Sequence, residues 1–293
     1  MNDQLLIELV ALQQEFKKDD IPVILGGGMS FYIRRTYLKT KPSSRYPFQT
    51  EARTTNDLDI FLNSHLIISR EKVEKIKDAL KTLGYVVDPQ ARNFQFKKEV
   101  KIFGHPRIIK IDLLSAPPPD ADLDKVSIKP PRIKPKDAEG IHAYLTKEAA
   151  GIDIGLVAFE CKQFLTNPEI TADDKIFIPS SYNYIILKLN AFNDRKNDGD
   201  PKSDYGRHHA YDIFATVSQM NEEDWSVAKQ HYIAHKDHEY LKTTIEIQKN
   251  CFSRLPDLGV IRLRENVSFK GIKEQYEPHL MTFLDDLKGL FAF

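Results

Sequence analysis

The sequence predicts an α+β chain, with a mixed α/β domain over residues 1–165 and a helical domain over residues 166–293. Three observations carry this. Short apolar runs bounded by glycine or charged residues fill the first half, the mark of strands. After about residue 180 apolar side chains recur at helical spacing. Between the two, residues 116–137 hold six prolines, at 117, 118, 119, 130, 131 and 135. That is too many for a helix or a central strand, so a long crossover loop is expected there.

Leu5, Leu9, Leu12 and Phe16 form an apolar stripe that predicts a helix over 3–18. The run from Pro22 to Leu25, stopped by Gly26-Gly27-Gly28, reads as a strand and tight turn, followed by a helix from Met29 to about Lys39. Residues 40–52 are polar with two prolines and read as a loop. Asp57 to Leu62 alternates charged and apolar residues like a half-buried strand. Ser69 is placed to cap a helix with the stripe Val73, Ile76, Leu80 and Leu83, ended by Gly84. Strand-like runs follow near 85–88, 92–98 and 107–114, and residues 138–165 fit either helix or strand. A helix opening near Ser180 or Ser181 places Tyr184, Leu187, Lys188 and Ala191 on one face. Further helices are expected at about 207–219, 222–235, 237–252 and 277–290, with no internal repeat.

Composition bounds the function. A length of 293 residues suits about two domains. Lys+Arg and Asp+Glu both total 42, which excludes a globally basic nucleic-acid-coating protein but leaves room for a local basic groove. No apolar run approaches the ~18–20 residues of a membrane helix, so no membrane partner is expected. Cys161 and Cys251 are the only cysteines, too few for a disulfide framework or a Cys-based zinc site. The N-terminal MNDQLLIELV lacks a basic n-region and a cleavage site, so the cytoplasm is the expected compartment.

The sharpest chemical feature is Asp57-Leu58-Asp59. On a strand, residues i and i+2 share a face, roughly 7 Å apart along the backbone. Two like charges held that close repel. A divalent cation relieves this, and Mg²⁺ favours carboxylates while keeping waters and substrate phosphates. Taken alone, the pair is a weak signal, and a solvated strand edge is the simpler account of it. Gly26-Gly27-Gly28, between strand and helix, lets backbone approach a ligand, and the next helix offers free N–H groups to an anion, with Ser30 adding a hydroxyl. A plain strand–helix turn is the simpler account of those glycines. In Arg107-Ile-Ile-Lys-Ile-Asp-Leu-Leu, Ile109, Ile111 and Leu113 occupy one face, and Asp112 lies on the other with Ile108, Lys110 and Leu114. Beside strand 57–62, Asp112 would be a third metal ligand; otherwise it is a surface carboxylate paired with a cation such as Lys110.

Gly27-Gly28, then Arg53-Thr-Thr-Asn-Asp57-Leu-Asp59, then Ile-Asp112-Leu-Leu resembles the nucleotidyltransferase superfamily, and within it the AbiEii/AbiGii-type toxin group that includes the MenT toxins. Lys188-Leu-Asn-Ala-Phe-Asn-Asp-Arg195 and Tyr211-Asp212 fit that group's downstream helical motif. The resemblance covers roughly residues 20–220. It implies a nucleotidyltransferase-like mixed sheet with flanking helices. By resemblance, Asp57 and Asp59 bind Mg²⁺ or Mn²⁺, and Asp112 assists as third carboxylate or base. Gly27, Gly28 and Ser30 hold the triphosphate, Lys188 contacts nucleotide phosphates, and Asp212 is a further active-site residue. The implied reaction moves an NMP from an NTP to an acceptor hydroxyl, in a toxin acting on tRNA or another cellular acceptor and restrained by a cognate antitoxin. The chain departs from the group in its longer 40–52 stretch and in His208-His209, where Lys-Asp is usual. Arg207 is a candidate replacement for that Lys, at a different spacing.

Other features have weaker claims. Arg53 suits a phosphate as a bidentate donor, or the acidic strand as an ion-pair partner. His208 or His209 could contact nucleotide or move a proton. His231, His235 and His238 share a helical spacing that could bind a transition metal, without an evident acidic neighbour. Three stretches are basic: 34–53 (six basic, one acidic), 92–110 (six Lys/Arg against Glu99) and 125–136 (five basic, none acidic). Converging, they would hold a polyanionic acceptor in a salt-dependent manner. Two alternatives stay open: a small-molecule, antibiotic-type nucleotidyltransferase, and a non-catalytic nucleotide- or protein-binding module.

Overall fold

In a computed structural model, which describes all residues except 1, 39–44, 53, 54, 56, 92, 103 and 199–202, the chain forms two units. Met1–Tyr37 and Ala52–Pro179 make the first; Leu38–Glu51 and Ser180–Phe293 make the second. The division thus follows Pro179, and residues 166–179 belong to the first unit.

The first unit opens with α1 (Asn2–Lys17), which buries the stripe Leu5, Leu9, Leu12 and Phe16. Then come β1 (Ile24–Leu25), α2 (Gly27–Tyr37), β2 (Asp57–Leu62), α3 (Ser64–Ile67), α4 (Arg70–Thr82), β3 (Val86–Val87), β4 (Gln95–Ile102) and β5 (His105–Ser115). The helix α4 begins where the Ser69 side chain accepts the Lys72 N–H at 3.3 Å. Its buried face is Val73, Ile76, Ala79 and Leu80. Gly84, at φ +81°, supplies the left-handed residue that ends it. The remaining strands are β6 (Val126–Lys129), β7 (Arg132–Pro135), β8 (Ala143–Leu145), β9 (Val157–Glu160) and β10 (Lys175–Ile178).

Among the described residues these strands form one mixed sheet, ordered β6-β7-β8-β5-β2-β1-β10-β9, with β4 joining β3 to β5. Strand β5 is its hub: parallel to β2 on one side, antiparallel to β4 on the other, and parallel to β8 at Leu114 and Ser115. The expected crossover loop over 116–137 is corrected. Its second half is a hairpin, β6 against β7, at the sheet edge. Pro130 and Pro131 form the turn and Pro135 ends β7, so the residues between keep the N–H groups a ladder needs. Residues 138–165 resolve into β8 and β9 with short 3₁₀ turns, and β10, unanticipated in the sequence, pairs in parallel with β1.

The second unit is helical: α5 (Ser181–Arg195), α6 (Arg207–Val217), α7 (Glu222–His235), α8 (Glu239–Cys251), α9 (Leu258–Glu265), α10 (Val267–Lys270), α11 (Lys273–Tyr276) and α12 (Leu280–Gly289). Ser180 caps α5 by accepting the Asn183 N–H at 3.2 Å, and Asn221 with Asp224 forms a capping box on α7. The expected helix at 277–290 opens as a 3₁₀ turn over Glu277–His279. Phe214 anchors the core, its ring 5.2–5.7 Å from those of Tyr276, Phe283 and Phe269.

The described part of the polar 40–52 stretch packs into this helical unit. Tyr46 donates its hydroxyl to Asp286 at 2.7 Å, and Arg45 pairs with the same carboxylate. Phe48 lies 4.7 Å from Tyr276 and stacks on Phe214. Tyr211 donates to the Glu51 carbonyl at 3.2 Å. Among the described residues no helix is long and apolar enough to cross a membrane.

Candidate active site

Alternation along β2 and β5 splits apolar from acidic residues. Leu58, Ile60, Ile111 and Leu113 are fully buried on one face of the sheet. On the other, Asp57, Asp59 and Asp112 are half-buried. The parallel register sets Asp59 opposite Asp112 and Asp57 opposite Lys110. The antiparallel register with β4 adds Gln95 opposite Asp112 and Lys97 opposite Lys110. One row on this face therefore reads Asp59, Asp112, Gln95, and the next reads Asp57, Lys110, Lys97.

Two of the carboxylates have identified donors. Thr55 donates its hydroxyl to Asp57 at 2.5 Å, and Gln95 donates its amide to Asp112 at 2.6 Å. Burial raises the Asp112 pKa above its ordinary value, the Gln95 bond works against that, the Asp57 charge adds to it and Lys110 opposes it. Gln95 and Thr55 escaped the sequence reading. Thr55 lies two residues before Asp57, a signal too common to single out, and Gln95 acquires its role only through cross-strand register.

The glycine turn packs against this acidic row. Gly26 donates its N–H to the Asp59 carbonyl at 2.7 Å. Gly27 sits at φ +59°, and a Cβ there would fall 1.7 Å from the Asp59 carboxylate oxygen Oδ2. Backbone conformation and the close approach of Asp59 both require glycine. A Cβ on Gly28 would meet Thr55 Cβ at 3.3 Å, a tight but less severe approach. Helix α2 starts at Gly27, not at Met29 as the spacing suggested, which brings its first turn beside Asp59. Ser30 is buried and donates its hydroxyl to the Gly27 carbonyl at 2.9 Å.

The other expected site residues divide as follows. Arg53 lies outside the described residues. Lys188 and Asp212 belong to the helical unit, where the Lys188 ammonium is 2.7 Å from the Asp212 carboxylate, with side-chain exposures of 8% and 1%. Tyr184 donates its hydroxyl to the same carboxylate at 3.4 Å, and its ring lies 5.0 Å from the Lys188 ammonium. Arg207 pairs with Glu265 at 3.0 Å, and His208 meets Asn266 at 3.2 Å. The basic 92–110 stretch is divided by strand alternation. Lys97 and Lys110 lie on the acidic face, whereas Lys98 lies on the other face and pairs with Glu8 at 2.9 Å.

Among the described residues no three His, Cys, Asp or Glu side chains are grouped to hold a metal ion. The aspartates nonetheless suit a hard divalent cation by donor type, being half-buried carboxylates on one face of adjacent strands. No family model matches the chain, and no curated protein or solved structure matches it.

Proposed function

We propose that the first unit is a metal-dependent nucleotidyltransferase that transfers an NMP from an NTP to an acceptor hydroxyl. The observation that carries this reading is the β2–β5 register, which sets Asp112 beside Asp59 on the face where the Gly27 turn meets the same carboxylate. Asp57 and Asp59 are the residues to hold Mg²⁺ or Mn²⁺. A bound divalent cation supplies charge neutralisation at the α-phosphate and the departing pyrophosphate. The first-turn N–H groups of α2, exposed by Gly27 and Gly28, face the triphosphate. The acceptor oxygen forms a bond to the α-phosphorus while the bond to the bridging oxygen breaks and pyrophosphate leaves. Asp112 accepts the acceptor's proton, a role that a pKa raised by burial favours.

The carrying observation lies in the first unit; Lys188 and Asp212, which the resemblance assigns to the active site, belong to the helical unit. Together with the resemblance in Gly27-Gly28, Asp57-Leu-Asp59 and Asp112, the reading extends to a cytoplasmic toxin of the AbiEii/AbiGii type with tRNA as acceptor and an antitoxin as restraint. The test is label transfer. The protein and an Asp57→Ala/Asp59→Ala variant are incubated with Mg²⁺, each α-labelled NTP and total tRNA. Label in RNA with the unaltered protein alone is the expected result. Pyrophosphate release without labelled RNA would redirect the acceptor to a small molecule. NTP binding with neither product would leave a non-catalytic module.

A further inference from the structure

The helical unit carries a group of imidazoles that the proposed reaction does not use. His231 and His235 stand one turn apart on α7, their ring centroids 5.0 Å apart, and His238 follows with its ring 4.7 Å from that of His235. His231 is fully buried. Its Nε2 is 2.8 Å from the Tyr240 hydroxyl on α8, and its ring meets Tyr182 of α5 edge-on at 5.1 Å. The Nδ1 atoms of His231 and His235 are both buried without a hydrogen-bond partner. His238 is exposed at the turn between α7 and α8, beside Lys236, Asp237 and Glu239.

We infer that this cluster is an acid-released latch, in which protonation of the imidazoles frees α7 from its docking on α5 and α8. A neutral His231 that donates its Nε2–H to Tyr240 leaves only the Nδ1 lone pair without a partner. A protonated ring must place a second N–H and a positive charge in a pocket whose facing groups are the phenols of Tyr182 and Tyr240 and two more imidazoles. A buried charge without a counter-ion is costly, and the neighbouring rings, once protonated, add repulsion. Opening the hairpin returns the charge to water.

The direction of the response follows from the same surroundings. Burial, then His235 and His238, push the His231 pKa down from 6.5 to about 4. Burial, then His238, lowers that of His235. The open hairpin therefore binds protons more tightly than the docked one. The latch is at full strength above about pH 6.5 and weakens as the pH falls through the window down to about 4. From His231 alone, lowering the pH from 7.5 to 5 multiplies the opening equilibrium ~30-fold.

The test is amide hydrogen exchange on the full chain at pH 7.5 and pH 5, corrected for the intrinsic pH dependence of exchange. Opening of α7 and α8 should rise at least ~30-fold relative to the β2 and β5 amides. Trp225, the chain's sole tryptophan and a residue of α7, should change its fluorescence over the same window. His231→Gln should remove most of the pH response whatever its effect on absolute stability. The gentler His235→Gln, at a half-exposed position, should reduce it. An α7 opening equal at both pH values, or a full response in either variant, would overturn the latch. So would a chelator that reproduces the opening at pH 7.5, since that would assign the rings to a bound metal instead.

Discussion

Alanine at Gly27 is the most incisive test of the acidic site, because the structure gives two separable reasons for glycine there. The first is backbone conformation. At φ +59° an L-residue costs about 1–2 kcal/mol. The second is space. The added Cβ would lie 1.7 Å from Asp59 Oδ2, so the carboxylate must move, an overpacking cost of about 1–3 kcal/mol. Gly27→Ala should therefore destabilise the first unit by about 2–5 kcal/mol, the sum of the two. In an Asp59→Ala background the carboxylate clash is gone and the conformational cost remains with a 3.3 Å approach to the Cβ of residue 59, so the two changes should couple by about 1–3 kcal/mol. Native-state hydrogen exchange at β2 and β5 amides reads this locally, which a chain of two units requires. Equal costs of Gly27→Ala in both backgrounds would refute the claim that Asp59 closes over the turn. In the label-transfer assay Gly27→Ala should be inactive, and Gly28→Ala, with Thr55 Cβ at 3.3 Å, should keep more activity.

Two further predictions concern charged groups. Lys188→Met leaves Asp212 buried without its cation and should cost about 3–5 kcal/mol, whereas Lys188→Met with Asp212→Leu should recover most of the loss; urea unfolding followed by Trp225 fluorescence measures both. Asp112→Asn keeps an acceptor for Gln95 while removing a half-buried charge, so it should raise the stability of the first unit at pH 7 and abolish label transfer. The sign follows because folding raises the Asp112 pKa above 3.8: the folded chain then binds more protons than the unfolded one just above that pH, and Asp112's contribution falls as the pH rises through it. Exchange at β5 amides should show Asp112→Asn flattening that decline; an unchanged decline would exclude Asp112 as its source.

Several elements were legible because their signals are local. The stripe Leu5-Leu9-Leu12-Phe16 and the Ser69 cap each lie within a few residues of the structure they specify. The alternation of Asp57-Leu-Asp59-Ile likewise fixed which side chains share a face of β2. Proline content misled at 126–135, since the count ignored position: prolines at a turn and a strand end leave the ladder between them intact. The 40–52 stretch is a loop over its described residues 45–52, as its composition predicts, but composition hid what that loop packs against. Tyr46 and Phe48 are core residues of the helical unit.

The sequence by itself determined the two kinds of secondary structure, the face that Asp57 and Asp59 share on their strand, and the glycine turn. Only the tertiary structure decided that Asp112 stands opposite Asp59, that Gln95 and Thr55 hold two of the carboxylates, and that Lys188 and Asp212 satisfy each other in a helical core. The physical reason is range. Periodicity, caps and alternation follow from backbone geometry over a few residues, whereas register and ion pairing depend on which distant segments come together as apolar faces are buried. Asp59 and Asp112 are neighbours because Leu58 and Ile60, with Ile111 and Leu113, bury the opposite face of the same sheet.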